Sequence, residues 1–120
     1  MIFLIDDKKS RQIDFGWTTE KFAQYSNVLT PLYTIEDVAK HGENIYNDDN
    51  LILYHESFLD FTNDSRKAVE QRNKLQGMAL ANSRLSVAFF SGSQNTRTYS
   101  LNTASVPVGL LYQNLELLIK

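Results

Sequence analysis

Short apolar runs alternate with polar segments along this chain, and the runs predict the strands of a sheet. They lie at positions 2–5, 28–33, 51–54, 85–90 and 104–108. Runs of this length are too short for a buried helix and typical of strands. Two of them, 2–5 and 51–54, are apolar throughout, and none shows a strict alternation of apolar and polar residues. We therefore expect strands covered on both faces, as in a parallel sheet.

Two of the intervening segments begin with residues that cap helices. Thr18 or Thr19 can cap a short helix that runs to about position 26. Thr34, followed by Asp37, gives a capping-box pattern before a second helix. The sequence therefore predicts a helix after the first strand and another after the second.

Two longer helices are predicted in the second half of the chain. The first is capped by Asn63, Asp64 or Ser65 and runs to about 82. Its predicted buried stripe consists of Phe61, Ala68, Arg72 (through its aliphatic stem), Leu75 and Ala79. The second, over 110–120, places three leucines on one face, at Leu111, Leu115 and Leu118.

Two segments have no helical period. Residues 7–17 are polar and are interrupted by Gly16, so an extended loop is predicted there. Residues 93–102 are rich in Ser, Thr and Asn, which compete with helix formation, and a loop or a short strand is predicted. We expect no helix between the fourth and fifth strands.

This alternation of strands and helices predicts the fold class. Strand–helix–strand repeats favour a parallel sheet with helices on both faces and right-handed crossovers. Five strands in one domain of this length fit a flavodoxin-like α/β three-layer sandwich with strand order 2-1-3-4-5. Pro31 and Pro107 then mark strands two and five as the two edges of the sheet.

Composition narrows the class of protein. The 120 residues are 42% hydrophobic and 22% charged, which indicates a single globular domain. The net charge of −2 gives no basic surface for nucleic acid or an anionic membrane. The absence of cysteine fits a reducing cytoplasm, and no apolar run is long enough to span a bilayer. We expect a cytoplasmic domain, compatible with being the N-terminal part of a longer protein.

Asp6 and Asp7 are the first candidates for a functional site. They follow the apolar strand 2–5 directly, and open α/β sheets bind ligands at the carboxyl ends of their strands. Carboxylate oxygens are ligands that hard cations prefer, so this pair predicts a site for a hard metal cation. The alternative is that both acids cap loops and hold the strand end without an ion.

Three motifs resemble the receiver domain of two-component response regulators over essentially the whole chain. They are FLIDD at 3–7, NLILYH at 50–55 and VAFFSG at 87–92. The resemblance implies that an acid pair binds Mg²⁺, an Asp after strand three accepts phosphate, and a Ser or Thr and a Lys contact the phosphoryl group. Asp6 and Asp7 match the acid pair, and Ser91 matches the hydroxyl.

Two positions depart from the family pattern. His55 stands where the phosphoacceptor Asp is expected, and residues 106–111 read VPVGLL without a Lys. An imidazole removes both an oxygen ligand and the nucleophile, and the phosphoryl charge loses its counter-charge. The resemblance therefore predicts a degenerate receiver: a non-catalytic regulatory domain, with no cofactor, that contacts a protein partner, a downstream effector domain or a second copy of itself.

Other interpretations of the same residues stay open. Glu56 or Asp60 would be the phosphoacceptor in a working receiver with Mg²⁺ at the acid pair, and a small-ligand sensor would bind an organic molecule at the strand ends. His55 is a candidate transition-metal ligand with the two acids, or a phosphohistidine. Its simplest interpretation is a partly buried histidine whose pKa is raised by a carboxylate partner. A metal-dependent hydrolase needs more acids and histidines than this chain has.

Trp17 and Phe15 flank Gly16 in the first predicted loop. They are candidates for a ligand or partner surface, but a single Trp more often fills a gap in the core. We predict that Trp17 belongs to the core.

Overall fold

The computed structural model describes residues 1–47, 49–60, 62–82, 84–92, 97–100 and 103–119. Within these ranges, six strands form one sheet. They are β1 (Ile2–Ile5), β2 (Leu29–Leu32), β3 (Leu51–His55), β4 (Ser86–Ser91), β5 (Arg97–Ser100) and β6 (Thr103–Pro107). Their order is β2-β1-β3-β4-β6-β5, and every pair except β5–β6 is parallel. The five parallel strands thus have the order 2-1-3-4-5, which confirms the predicted flavodoxin-like fold.

The far edge of the sheet differs from the prediction. Pro107 indicated that the last parallel strand is an edge, but β5 pairs antiparallel with β6 and covers it. Pro107 is tolerated because it is the last residue of β6, where a missing N–H removes little of the ladder. Pro31 does lie on an edge strand, since β2 pairs only with β1 among the described strands.

The region between β4 and β6 has the predicted character. No helix occurs there in the described residues, and 97–100 form the short strand β5. The rest of the predicted segment, 93–96 and 101–102, lies outside the described residues. An antiparallel strand therefore stands in the connection where the other parallel strands are joined through helices.

Helices cover both faces of the sheet. They are α1 (Lys9–Asp14), α2 (Thr19–Gln24), α3 (Ile35–His41), α4 (Ser65–Ala81) and α5 (Val108–Ile119), with a 3₁₀ helix at Gly42–Tyr46. Thr18 caps α2 by accepting a hydrogen bond from the Lys21 amide. The capping box of Thr34 and Asp37 is complete at the start of α3. Both of these cap predictions are confirmed. Asp64 occupies the predicted N-cap position of α4, but it makes no side-chain capping bond.

The prediction of an extended loop over 7–17 is wrong, because residues 9–14 form α1. The N-cap residue, Lys8, makes no side-chain capping bond. The Lys8 amide instead donates to Oδ1 of Asp6, two residues earlier, at 2.9 Å. The helix therefore starts from a bond made by the strand end, which local capping patterns do not reveal.

Each face of the sheet has its own buried core. Under α3 and α4 the core includes Ile52, Leu75 and Phe89. On the other face, under α2 and α5, it includes Trp17 and Leu115. Trp17 is 2% exposed, which confirms its predicted place in the core.

Two of the predicted helix stripes can be checked. On α4, Ala68, Leu75 and Ala79 are buried as expected, while Phe61 lies outside the described residues. On α5, Leu111 and Leu115 are buried, whereas Leu118, predicted on the same face, is 48% exposed. No helix in the described ranges has both the length and the apolar character to cross a membrane.

Candidate functional site

The ends of β1 and β3 bring the sequence-predicted site residues together. Ile5 is paired with Tyr54, so the residues that follow each strand lie at the same edge of the sheet. Asp6, Asp7 and His55 each offer a potential ligand atom, and these atoms all lie within 4.8 Å of one another. We call these three residues, with Arg11 and Tyr112 that contact them, the acid edge.

Asp6 is fully buried and its carboxylate is saturated with hydrogen bonds. Oδ1 accepts from the Lys8 amide at 2.9 Å and from Nη1 of Arg11 at 3.0 Å. Oδ2 accepts from the Tyr112 hydroxyl at 2.7 Å and from the same Nη1 at 3.2 Å. Asp6 therefore holds the strand end and starts α1, as the interpretation without an ion expects.

Arg11 supplies a cation to the acid edge from within the chain. Its guanidinium forms an ion pair with Asp6, and its side chain is 25% exposed. A buried carboxylate is stable only when it is paired and hydrogen-bonded, and Arg11 meets that need. Sequence reasoning missed Arg11 because it fell in a predicted loop; an Arg one turn of helix beyond an acid pair was the available signal.

Tyr112 closes the acid edge from α5. Its ring stacks on Phe15 with the centroids 5.5 Å apart, and its carbonyl accepts a hydrogen bond from Nε1 of Trp17 at 3.3 Å. Burial, together with the charge of Asp6 nearby, raises the pKa of Tyr112. The hydroxyl therefore stays protonated and donates to Asp6. The helical pattern of α5 gave no sign of this role.

His55 lies at the end of β3 in an apolar environment. It is 5% exposed, and its ring packs edge-on against Phe90 with the centroids 5.0 Å apart. Burial lowers the pKa of His55, and the fields of Asp6 and Asp7 oppose this only in part. The predicted rise in pKa from a carboxylate partner is therefore wrong. The acceptor positions of Asp6 are occupied by Arg11, Tyr112 and the Lys8 amide.

Two polar atoms at the acid edge are buried without a hydrogen-bond partner among the described residues. They are Nδ1 of His55 and Oδ1 of Asp7. Buried polar atoms are nearly always hydrogen-bonded, because an unmade bond carries the full desolvation penalty. These two atoms therefore distinguish the acid edge from a fully satisfied strand end.

The other predicted site residues lie around this group. The amide of Glu56 donates to the Phe90 carbonyl at 2.9 Å, and its carbonyl accepts from Nη1 of Arg72 at 2.6 Å. Ser91 ends β4, and Asp60 lies in a turn closed by its amide on the Ser57 carbonyl. Among the described residues, the grouping with metal-ligand spacing includes neither Glu56 nor Asp60. The geometry gives no support to either as a phosphoacceptor.

The acid edge does not fit the magnesium ion that the receiver resemblance implies. Mg²⁺ demands near-octahedral oxygen coordination. Here one of the three candidate ligands is an imidazole, and the carboxylate of Asp6 has no acceptor position left. We therefore derive no phosphoryl chemistry from these residues.

A second surface lies between α5 and the sheet. An open cleft of about 400 Å³ is lined almost entirely by apolar side chains: Leu51, Leu53, Ala88, Val106, Leu110, Leu111, Asn114 and Leu118. We call it the α5 cleft. Three leucines of α5 are exposed: Leu110 at 48% and Leu118 at 48%, both in the cleft lining, and Leu117 at 70%.

The α5 cleft is open because α5 is bonded toward α2. Lys21 of α2 forms an ion pair with Glu116, and Trp17, just before α2, donates to the Tyr112 carbonyl. Ala88 and Val106 are left half-buried on the neighbouring strands. The anchoring of α5 on one side thus exposes an apolar strip on the other.

Comparison with known proteins gives no match for this chain among family models, curated proteins or solved structures.

Proposed function

We propose that this chain is a receiver-like regulatory domain that acts through protein contacts and not through phosphorylation. The observation that carries the proposal is the saturated carboxylate of Asp6. Arg11 provides the positive charge and Tyr112 a further donor at the position where a receiver uses a metal ion. An internal cation of this kind removes the need for Mg²⁺ and makes its binding unfavourable.

The phosphoacceptor position supports the same conclusion. His55 is buried against Phe90, and its lowered pKa favours the neutral imidazole. A neutral ring offers no carboxylate for an acyl phosphate, and residues 106–111 supply no Lys to pair with a phosphoryl group. The domain keeps the fold of a receiver without its reaction.

Regulation would then depend on contact with another protein, either a partner or an effector domain in a two-component pathway of the cytoplasm. The exposed leucines of α5 and the apolar cleft beside them are suited to such contact, because apolar area of this kind marks interaction sites. The resemblance to receivers supports the two-component setting.

The test is a titration of the ¹⁵N-labelled domain with Mg²⁺ and then with beryllofluoride, followed by amide NMR. We expect no localised shifts at Asp6, Asp7, His55 or Ser91. A working receiver domain, titrated in parallel, provides the positive control. Shifts at these residues with millimolar Mg²⁺ that grow with beryllofluoride would establish a phosphorylation switch and overturn the proposal.

A second candidate function is a sensor of a small apolar molecule. It is favoured by the volume and lining of the α5 cleft, which lie within the range of small-molecule sites. Native mass spectrometry of the purified domain tests it. A bound mass that disappears in a Val106→Trp variant, which fills the cleft, would support the sensor, and an unmodified chain mass would count against it.

A further inference from the structure

We propose that Asp6, Asp7 and His55 form a binding site for a divalent transition-metal ion of the zinc and cobalt type, and that Arg11 competes with the ion for Asp6. The inference goes beyond the proposed function and does not depend on it. It concerns a different ion from the Mg²⁺ of working receivers, and a competing residue on α1.

The unpartnered buried atoms are the first observation behind this site. His55 is only 5% exposed, and its Nδ1 has no hydrogen-bond partner in the described part of the chain. Oδ1 of Asp7 is buried without a described partner at the same edge of the sheet. Oδ1 of Asp7 has lone pairs, and Nδ1 of His55 has one when the neutral ring carries its proton on Nε2. In that tautomer, one cation placed between the side chains would satisfy both atoms.

The ligand set decides the class of metal. One imidazole with two carboxylates suits zinc, cobalt and similar ions, whereas Mg²⁺ selects oxygen ligands alone. The ligand atoms lie within 4.8 Å of one another, and two ligands of a tetrahedral zinc ion are about 3.4 Å apart. Small side-chain movements are therefore enough to close the site.

Arg11 sets the threshold for binding. Its Nη1 contacts both oxygens of Asp6, so an ion that binds Asp6 must displace the guanidinium. The Arg11 side chain is 25% exposed, so displacement of its guanidinium toward solvent is open to it. Exchange of one cation for another keeps the buried carboxylate of Asp6 compensated throughout.

The first experiment compares the wild-type domain with Arg11→Gln, using Co²⁺ titrated by calorimetry and by its visible absorption. We expect the variant to bind Co²⁺ about 10- to 100-fold more tightly, the range by which neighbours of a metal ligand alter affinity. Lys9→Gln is the matched control. It removes the same charge from the same helix, where Lys9 lies over the Tyr33 ring and not against Asp6.

Thermal unfolding with and without Co²⁺ covers the case in which Arg11→Gln is unstable. The variant leaves Asp6 buried without its cation, so we expect a lower Tm than in the wild-type domain. We also expect Co²⁺ to raise the Tm of the variant by more than it raises the wild-type Tm. An equal Co²⁺ affinity in Arg11→Gln and Lys9→Gln would overturn the competition.

The second experiment tests the imidazole. His55→Gln, made in the Arg11→Gln background, should lose at least about tenfold in Co²⁺ affinity, whereas His41→Gln should lose none. His41 is a suitable control because its ring packs against Phe3, away from the acid edge. Binding that survives His55→Gln, or no Co²⁺ binding in any variant, would overturn the site and leave a bound water as the partner of the two buried atoms.

The two proposals fail independently. A response to Mg²⁺ and beryllofluoride in the wild-type domain would overturn the proposed function alone. An absence of Co²⁺ binding in Arg11→Gln would overturn the metal site alone.

Discussion

The acid edge and the α5 cleft differ in how many of their side chains have partners within the chain. At the acid edge, Asp6 is buried and accepts hydrogen bonds from α1 and α5. The α5 cleft is lined almost entirely by apolar side chains, and the exposed leucines of α5 face solvent. The acid edge carries charged groups and, apart from Oδ1 of Asp7 and Nδ1 of His55, satisfies them with described residues, whereas the cleft carries almost no polar groups and is open.

This difference shows that reactive or charged residues can be present in a fold without being available to a ligand. The acids after β1 are the most informative feature of the sequence, yet Arg11 and Tyr112 occupy the oxygens of Asp6. The apolar surface on α5 has no motif, yet it is available to a partner. A binding function therefore depends on which groups remain unsatisfied after folding, more than on which groups the sequence contains.

The largest effect expected at the acid edge follows from Asp6→Ala. The variant leaves the Arg11 guanidinium without its partner and the buried Tyr112 hydroxyl without its acceptor. We expect the free energy of unfolding to fall by about 3–5 kcal/mol, measured by urea denaturation. Asp14→Ala, which removes an exposed acid at the end of α1, is the control. A loss below about 1 kcal/mol would mean that the bonds of Asp6 do not hold the region together.

Tyr112→Phe isolates one bond of that network. The hydroxyl donates to a charged carboxylate, so its removal should lower the free energy of unfolding by about 1.5–3 kcal/mol. In Tyr33→Phe the lost bond is to the neutral amide oxygen of Gln12, and about 0.5–1.5 kcal/mol is expected. Equal losses in the two variants would show that the charge of Asp6 adds nothing to the Tyr112 bond.

The pH dependence of stability tests the state of His55. Burial lowers the pKa of His55 in the folded domain. The nearby charge of Arg11 lowers it further, and the charges of Asp6, Asp7 and Glu56 raise it only in part. The unfolded chain therefore binds the proton more readily below its ordinary pKa of about 6.5. Stability should be retained above that pH and fall on acidification, and His55→Gln should reduce the slope between pH 7 and 5. An unchanged slope would assign the acid sensitivity to other groups.

The smallest effect is expected in the open region. Leu118→Lys places a charge on an exposed position of α5 and should change the free energy of unfolding by less than about 0.5 kcal/mol. Leu115→Ala, one turn away in the core, should cost about 2–5 kcal/mol. Analytical ultracentrifugation of the Leu118 variant then tests self-association without a stability effect. A large destabilisation by Leu118→Lys would show that the α5 cleft is closed in solution.

Much of the fold could be predicted because local patterns and topology agreed. The capping box of Thr34 and Asp37 fixed the start of α3. The proline at position 31 identified an edge strand, and the apolar runs identified every parallel strand. These features depend on residues close together in the sequence, where propensity and periodicity are informative.

The parts that could not be predicted depend on unusual local bonds or on contacts between distant residues. The helix α1 has no capping side chain at Lys8; the Lys8 amide donates instead to Asp6, two residues earlier, which is not a usual N-cap pattern. The Tyr112 hydroxyl reaches Asp6 across most of the chain length. The pKa of His55 was predicted in the wrong direction because its burial against Phe90 of the neighbouring strand was not visible in the sequence.

The antiparallel pairing of β5 with β6 has a consequence for the order of folding. Arg97 pairs with Ser105 within one short stretch of chain, whereas Ile2 of β1 must meet Leu51 of β3 across three α-helices, a 3₁₀ helix and a strand. Closing the short loop sacrifices much less chain entropy, and local contacts form faster than distant ones. We expect this edge to pair early and to present β6 as a template for the other parallel strands. β1, the strand that precedes Asp6, would join the sheet later.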